Sequence, residues 1–157
     1  MKHLLILGLI LALAACAYNG RYSAVSAKQN LLLANEFLSK NKTTAGIVEL
    51  SSGLQYKIVK SGTGNIPTDS ATVSVYYRGY FLGEEEPFDI AEDESAATII
   101  PIPGVIDGWR EALTLMREGD EWIIYIPPHL AYGDKGAKPV VGPNMLLIYD
   151  ITLLRLW

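Results

Sequence analysis

The sequence predicts an α+β domain in which several antiparallel strands curl over one short helix. The helix is expected within residues 104–119, where four apolar side chains recur at helical spacing and share one face: Trp109, Ala112, Leu113 and Met116. Gly119 is the expected residue after its last turn. Between residues 53 and 157 no other segment combines this helical spacing with a terminating residue of this kind. One amphipathic helix facing many strands favours a sheet that wraps around it.

Four segments have the alternating apolar pattern of half-buried strands. They cover residues 54–59, 72–80, 121–126 and 146–156. In the first of them, Leu54, Tyr56 and Ile58 are expected to share one face. Pro127-Pro128 ends the third, because neither proline can donate a backbone hydrogen bond to a sheet.

Composition argues against several classes of function. The 157 residues, half of them hydrophobic, permit one domain with a sizeable core plus short appendages. The formal charge of −4 and the lack of any basic run argue against nucleic acid as a partner. One cysteine and two distant histidines cannot supply a zinc site, and the sequence has no glycine-rich phosphate loop. The sequence therefore predicts neither a metal nor a cofactor.

Residues 1–15 have the layout of a bacterial signal peptide. A short positive start precedes an apolar run over residues 4–13, which is too short for a comfortable membrane span. The segment Leu13-Ala14-Ala15-Cys16 resembles the lipobox, in which a peptidase cuts before the cysteine and the thiol receives a diacylglycerol. Cys16 is thus the predicted site of lipid attachment, and several acyl chains on it would hold the protein stably to a membrane. The alternative is an ordinary signal peptide with a cysteine nearby.

A lipid anchor at this position implies the bacterial cell envelope, with the domain facing the periplasm. Ala17 stands where an aspartate is linked with inner-membrane retention, which favours the outer membrane in a host that has one. Residues 16–52 would form a lipidated tether with one helix over residues 26–40, whose apolar stripe is Leu31, Ala34, Phe37 and Leu38. This helix either packs on the globular domain, pairs with a second copy in a homodimer, or serves only as a stalk.

Residues 84–94 form an acidic segment with seven carboxylates and no base. A calcium site is one interpretation, but the ligand spacing of an EF-hand is absent. A solvated loop is the prediction that we carry forward. Within it, Phe88-Asp89 places an aromatic ring beside an acid where the loop should fold back onto the sheet.

Several short blocks of sequence occur together in an order that resembles one enzyme family. The blocks are Ser52-Gly53-Leu54-Gln55-Tyr56-Lys57, Tyr77-Arg78-Gly79, Phe88-Asp89, Gly104-Val105-Ile106-Asp107-Gly108-Trp109, Leu115-Met116-Arg117-Glu118-Gly119-Asp120, Ile126-Pro127-Pro128, Leu130-Ala131-Tyr132-Gly133 and Pro143-Asn144. They resemble the FKBP-type peptidyl-prolyl cis-trans isomerases, especially the bacterial lipoprotein and Mip-like branch. The likeness covers residues 53–157, which we take as the isomerase domain.

The resemblance implies an antiparallel half-barrel wrapped around the helix that begins near Trp109, with an apolar pocket between helix and sheet. By the same resemblance, Tyr77 and Asp89 are the candidate catalytic residues. The candidate substrate-binding residues are Phe88, Ile100, Val105, Ile106, Trp109, Tyr132, Val141 and Tyr149. Trp109 would be the floor beneath the proline ring, while Tyr132 and the backbone of Ile106 would hold the peptide by hydrogen bonds. Implied ligands are proline-containing polypeptides and macrolides of the rapamycin class.

Two functions follow from this pocket. One is an isomerase that helps envelope proteins fold. The other is a non-catalytic module that binds peptides as a chaperone or assembly partner. The second is favoured by an aliphatic Ile100 where the family usually has an aromatic ring, by Tyr149 in place of Phe, and by a stretch without Lys or Arg after Asp89. The intact blocks around Trp109 and Tyr132 favour the first, and an active isomerase is the function that we predict. Without a nearby arginine, Asp89 is expected to accept a hydrogen bond from the Tyr77 hydroxyl or from backbone N–H groups.

Overall fold

Seven strands form one antiparallel sheet in the computed structural model, which describes residues 27–91 and 98–157. The strands are β1 (Ile47–Glu49), β2 (Gln55–Lys60), β3 (Thr72–Phe81), β4 (Asp89–Ala91), β5 (Thr98–Pro101), β6 (Glu121–Ile126) and β7 (Leu147–Leu156). Their order across the sheet is β1-β2-β6-β7-β3-β4, and β5 also pairs with β3. The predicted α+β class with an antiparallel sheet is confirmed. The predicted signal peptide and the predicted lipid-attachment site, Cys16, lie outside the described residues.

Strands β6 and β7 bury the faces that their alternation predicts. On β6, Trp122, Ile124 and Ile126 are buried, and on β7 every second residue from Leu147 to Leu153 is buried. Because side chains on a strand point alternately to the two faces, one face of the sheet carries the core. The core helix packs against that face.

The N-terminal helix, α1 (Ala27–Asn41), packs on the globular domain. Ala34 is buried, and the ring of Phe37 lies 5.7 Å from that of Tyr125 on β6. Asn30 Nδ2 donates to the carbonyl of Pro143 at 2.8 Å. The sequence left three arrangements open for this helix, and packing on the globular domain is the one observed within the chain.

The core helix, α2 (Asp107–Leu113), is shorter at both ends than the predicted 104–119. Before it, Ile102–Gly104 form a single 3₁₀ turn and Val105 is extended. After it, the Thr114 hydroxyl donates to the carbonyls of Arg110 and Glu111, as polar side chains do where a helix stops. Met116 still reaches the core, since its N–H bonds the carbonyl of Ala112 and its side chain is fully buried.

The predicted face of β2 is correct at its start and wrong at its end. Leu54 is buried and Tyr56 is half-buried, but Ile58 is 46% exposed. Gln55, on the opposite face, is completely buried. Its side chain donates to Glu49 Oε2 at 2.7 Å and accepts from Asn41 Nδ2 at 2.9 Å, which offsets the cost of burying an amide.

Three strands were not predicted: β1, β4 and β5. Each has three or four residues, too few for an alternation to stand out. Strand β4 lies within the segment predicted as a solvated loop, where Asp89 pairs with Gly79 and Ala91 with Tyr77. The prediction is therefore wrong for residues 89–91, while residues 84–86 are exposed, as expected. Residues 92–94 lie outside the described range.

The carboxylate of Glu118 joins the turn after α2 to two other segments. It accepts the N–H of Leu156 at 2.8 Å and that of Asn65 at 3.2 Å. These two backbone hydrogen bonds hold the pKa of Glu118 below its ordinary value of 4.5. The ionised form is thus favoured in the folded state.

Glu118→Gln is expected to destabilise the fold at neutral pH and to have little effect in acid. A carboxyl group whose pKa is lower when folded contributes stability above its unfolded pKa and loses it as pH falls through the folded pKa. The free energy of unfolding of both proteins, measured by denaturant titration, should therefore differ most above pH 4.5 and converge below it. Glu85→Gln, at an exposed acid, is the control. A difference that is the same at every pH would contradict this role.

Candidate functional site

A cavity of about 370 Å³ opens where α2 and the residues before it meet the sheet. It is lined by Tyr77, Asp89, Ile100, Gly104, Val105, Ile106, Trp109, Tyr132 and Tyr149. Strands β3, β4, β5 and β7 supply one wall, α2 the base, and the turn after β6 the rim. The described lining carries one charged side chain, that of Asp89, and no base. The result is an aromatic and aliphatic pocket with a single acid.

Trp109 lies at the base of the cavity and is only 5% exposed. The rings of Tyr77 and Tyr149 meet its ring edge to face, each with centroids 5.1 Å apart and planes nearly perpendicular. Gly108 lets this part of the helix approach the sheet, since a Cβ there would clash with a methyl carbon of Ile126. The indole is therefore held by close packing on several sides.

Tyr149 forms a second part of the wall, opposite Gly79 in the β3–β7 register. A Cβ at Gly79 would lie 2.5 Å from the Tyr149 ring, so the absence of a side chain there makes room for the ring. Burial raises the pKa of the Tyr149 hydroxyl above its ordinary value, which keeps it protonated. Among the described residues, the buried side-chain polar atom without a partner is Nε1 of Trp122, so Tyr149 does not leave a buried unpaired hydroxyl.

Asp89 and Tyr77 form a hydrogen-bonded pair at the mouth. The Tyr77 hydroxyl donates to Asp89 Oδ1 at 3.2 Å, which confirms the partner expected from the sequence. The adjacent strands β3 and β4 bring the two side chains together. Burial first, and then the charge of Asp89 and this hydrogen bond, raise the pKa of Tyr77. Tyr77 therefore remains a hydrogen-bond donor across the physiological pH range.

The backbone of Ile106 and the ring of Tyr132 frame the opening. The carbonyl of Ile106 already accepts the N–H groups of Trp109 and Arg110, at 3.0 and 3.1 Å. The backbone group that Ile106 has to offer a peptide is thus its N–H. Tyr132 is 40% exposed, which leaves its hydroxyl accessible at the rim.

Phe88 and Val141 do not line the cavity. Phe88 stacks on Phe81 at 4.2 Å and meets Tyr149 edge to face at 5.9 Å, so it supports the wall from behind. Val141 is buried in the segment between β6 and β7, where it exchanges two backbone hydrogen bonds with Ala137. Gly104 lines the cavity but was not among the predicted site residues, because the sequence identified it only as a member of one family-like block.

The described residues contain no group of three or more His, Cys, Asp or Glu side chains that could hold a metal ion. In the part of the chain that the structure describes, no helix is both long and apolar enough to span a membrane.

The family of FKBP-type peptidyl-prolyl cis-trans isomerases accounts for this fold and cavity. The family model matches residues 64–154, and a second model, the domain amino terminal to FKBP-type peptidyl-prolyl isomerase, matches residues 15–58. The chain belongs to the FKBP-type peptidyl-prolyl isomerase family.

Individual relatives agree with this assignment. The chain is 42% identical over 118 residues to the peptidyl-prolyl cis-trans isomerase Mip of Coxiella burnetii. The matched region covers 75% of this chain and 51% of that protein. It is 42% identical over 128 residues to the outer membrane protein MIP of Legionella longbeachae, and the matched region covers 82% of this chain and 54% of that protein. The crystal structure of FkpA from Escherichia coli superposes with a TM-score of 0.78 at 31% identity, covering 99% of this chain and 70% of that one. The chain thus spans about half the length of the curated relatives it matches.

Proposed function

We propose that this chain catalyses cis-trans rotation of X–Pro peptide bonds in polypeptide clients, with the cavity above Trp109 as the active site. The observation that carries the proposal is the lining of this cavity. The rings of Tyr77 and Tyr149 pack edge to face against Trp109 at the base, and one hydrogen-bonded acid, Asp89, lies at the mouth. The apolar lining of such a pocket matches a proline ring in polarity. The reaction breaks no covalent bond, so it needs no nucleophile.

The physical basis of catalysis is the resonance of the amide. The C–N bond has partial double-bond character, with a rotation barrier of about 18–20 kcal/mol. Halfway through the rotation that resonance is lost and the amide becomes less polar. A water-poor pocket therefore favours the twisted amide over the planar one. A thousandfold acceleration needs only about 4 kcal/mol of such preference.

Seven of the nine lining residues have a stated role in this proposal. Trp109 supports the proline ring, and Ile100 and Tyr149 limit its sideways movement. The N–H of Ile106 and the hydroxyl of Tyr132 hold the peptide, so that rotation takes place in a fixed orientation. Asp89, oriented by Tyr77, places a negative field beside the rotating carbonyl and transfers no proton. Phe88 and Val141 act indirectly, by packing behind the pocket.

A protease-coupled assay on a proline-containing peptide tests the proposal. The purified domain is expected to accelerate the slow cis-to-trans phase, and rapamycin is expected to abolish that acceleration. Uncatalysed exchange takes tens to hundreds of seconds, so the enzymatic phase is easily separated from it. No acceleration over buffer at micromolar protein would contradict isomerase activity.

The second candidate function is a binding module with little turnover. It is supported by the aliphatic Ile100 in the wall and by the absence of a base from the described lining. Such a module would still bind rapamycin and would suppress aggregation of an unfolded client, yet it would leave the proline phase unchanged. The same assay, combined with a binding titration, separates the two functions.

The proposal also includes a lipid anchor at Cys16, after removal of residues 1–15, with the domain on the periplasmic side of the envelope. The lipobox-like segment supports it, and so does the name of one relative, an outer membrane protein. Residues 16–52 then link the anchor to an isomerase domain over residues 53–157. In this arrangement the active site works close to a membrane surface on polypeptides that arrive unfolded.

Cys16→Ala is expected to abolish incorporation of labelled fatty acid and to release the domain from membranes or stall its precursor. The reason is that the thiol is the only group in the chain on which this modification can form. Metabolic labelling and membrane fractionation measure both effects. Ser23→Ala, in the same segment, is the control. A mutant that fractionates with membranes as fully as the wild type would contradict the anchor.

A further inference from the structure

The base and the rim of the pocket belong to different parts of the chain. Trp109 lies on α2, whereas Tyr132 lies in the turn after β6. A ligand that touches both needs them at a defined separation. The residue that joins these two parts is Ser52, which lies outside the cavity in the turn between β1 and β2.

Ser52 contacts both sides at once. Its hydroxyl donates to Glu111 Oε2 at 2.7 Å, and Glu111 follows Trp109 by two residues on α2. Its carbonyl accepts from His129 Nε2 at 2.8 Å. Because a carbonyl can only accept, Nε2 must carry the proton in this contact. The Ser52 hydroxyl also accepts the N–H of Leu54 at 3.2 Å, which holds its orientation.

Backbone hydrogen bonds within the turn that carries Tyr132 span His129 as well. The N–H groups of Ala131 and Gly133 both bond the carbonyl of Pro128, at 3.1 and 2.9 Å. The positions of His129 and Tyr132 are therefore linked through the backbone of this turn. Gly53, at φ +91°, brings the β1–β2 turn against the imidazole, where an added Cβ would lie 3.6 Å from Cε1.

The N-terminal segment holds this turn from a second side. The carbonyl of Gly133 accepts the N–H of Asn144 at 2.7 Å. The side chain of Asn144 in turn donates to the carbonyl of Ala27, at the start of α1, at 3.1 Å. Two segments before the isomerase-family match, which begins at residue 64, are thus linked to this turn: Ser52 contacts His129 directly, and Ala27 contacts Asn144, which in turn bonds Gly133.

We infer that Ser52 is a positioning residue, which sets the separation between Trp109 and Tyr132 and so makes the N-terminal segment part of the active site. The inference rests on the proposed function. The hydroxyl–carboxylate hydrogen bond is of the charge-assisted kind, which is stronger than a neutral one. Without it, the spacing between α2 and the Tyr132 turn loses one constraint, and a smaller fraction of molecules has the binding geometry at any moment.

A loss of this kind has a distinctive kinetic signature. When only a fraction of the protein is competent, the apparent dissociation constant rises by the inverse of that fraction. The bound state, once formed, is unchanged. KM should therefore rise while kcat stays nearly constant. A residue with a merely structural role would instead lower the thermal stability and leave KM unchanged at a temperature where the protein is fully folded.

The test compares Ser52→Ala with Ser52→Thr, which keeps the hydroxyl, in the full mature chain. Ser52→Ala is expected to raise KM for a proline peptide by about threefold to tenfold, with kcat within about twofold of the wild type. Ser52→Thr should restore most of the wild-type KM. Ser70→Ala is the matched control, since it removes a hydroxyl that contacts Thr68 and does not line the cavity. Thermal melts establish that each variant is folded at the assay temperature.

A double-mutant cycle with Glu111→Ala completes the test. If Ser52 acts through Glu111, the double variant should lose little more than the worse single variant. Unchanged KM in Ser52→Ala, or strictly additive losses in the cycle, would overturn the inference and leave the proposed function intact. If the wild type itself neither turns over the peptide nor binds rapamycin, the proposed function fails and the inference fails with it.

Discussion

Trp109→Leu is expected to yield a folded domain that binds rapamycin and proline peptides at least about tenfold more weakly than the wild type. The indole lies at the base of the cavity and meets Tyr77 and Tyr149 edge to face. Leucine keeps the base apolar but loses a flat ring that fits beneath a proline ring. A tenfold loss corresponds to about 1.4 kcal/mol, which is within the range measured for one aromatic contact.

The leucine variant is preferable to alanine because the same ring is part of the core. Removing it entirely should cost about 3–5 kcal/mol of stability, so a loss of binding in Trp109→Ala could reflect unfolding. Isothermal titration at a temperature below the melting transition measures the affinity directly. Trp157→Leu is the matched control, since that ring is 63% exposed and lies against Arg155 at the chain end. Unchanged affinity in Trp109→Leu would place the binding site elsewhere.

Asp89→Asn is expected to lower kcat/KM by about tenfold or more while peptide affinity changes little. A tenfold loss corresponds to about 1.4 kcal/mol of transition-state stabilisation. If the domain is an enzyme, the carboxylate supplies a field that favours the twisted amide. If it is only a hydrophobic binder, an amide of the same shape serves equally well. The substitution therefore distinguishes the two candidate functions by chemistry rather than by shape.

The partner of Asp89 should share its effect. The Tyr77 hydroxyl donates to the carboxylate at 3.2 Å, so Tyr77→Phe should cost much less in the Asp89→Asn background than it does alone. Isomerase rates for the two single variants and the double variant give the coupling, with thermal stability measured in parallel. Asp69→Asn is the control, because that acid contacts Arg110 outside the cavity. Additive losses would remove the coupling, and an unchanged rate in Asp89→Asn would favour the binding module.

The sequence by itself determined mainly the features that follow from the spacing of apolar residues, which recur every second residue in a strand and every three or four residues in a helix. The alternation in β6 and β7 predicts which side chains enter the core, and the structure agrees. Spacing alone places Trp109, Ala112 and Leu113 on the face of α2 that is buried. The order of short blocks resembles one family, and eight of the ten pocket residues implied by that resemblance do line the cavity. The alternation and the helical spacing are local, because each follows from neighbours within a few residues, whereas the family resemblance depends on the order of blocks along the chain.

Tertiary structure decided what no local period encodes. Gln55 is buried because α1 covers it, and Asp89 lies in a strand because Gly79 is beside it. Phe88 supports the wall rather than lining it, because its ring stacks on Phe81. Ser52 joins α2 to the turn of Tyr132 across separations of 59 and 77 residues. Such contacts depend on which distant groups meet, and that is determined by chain topology and by the need of each buried polar group for a partner.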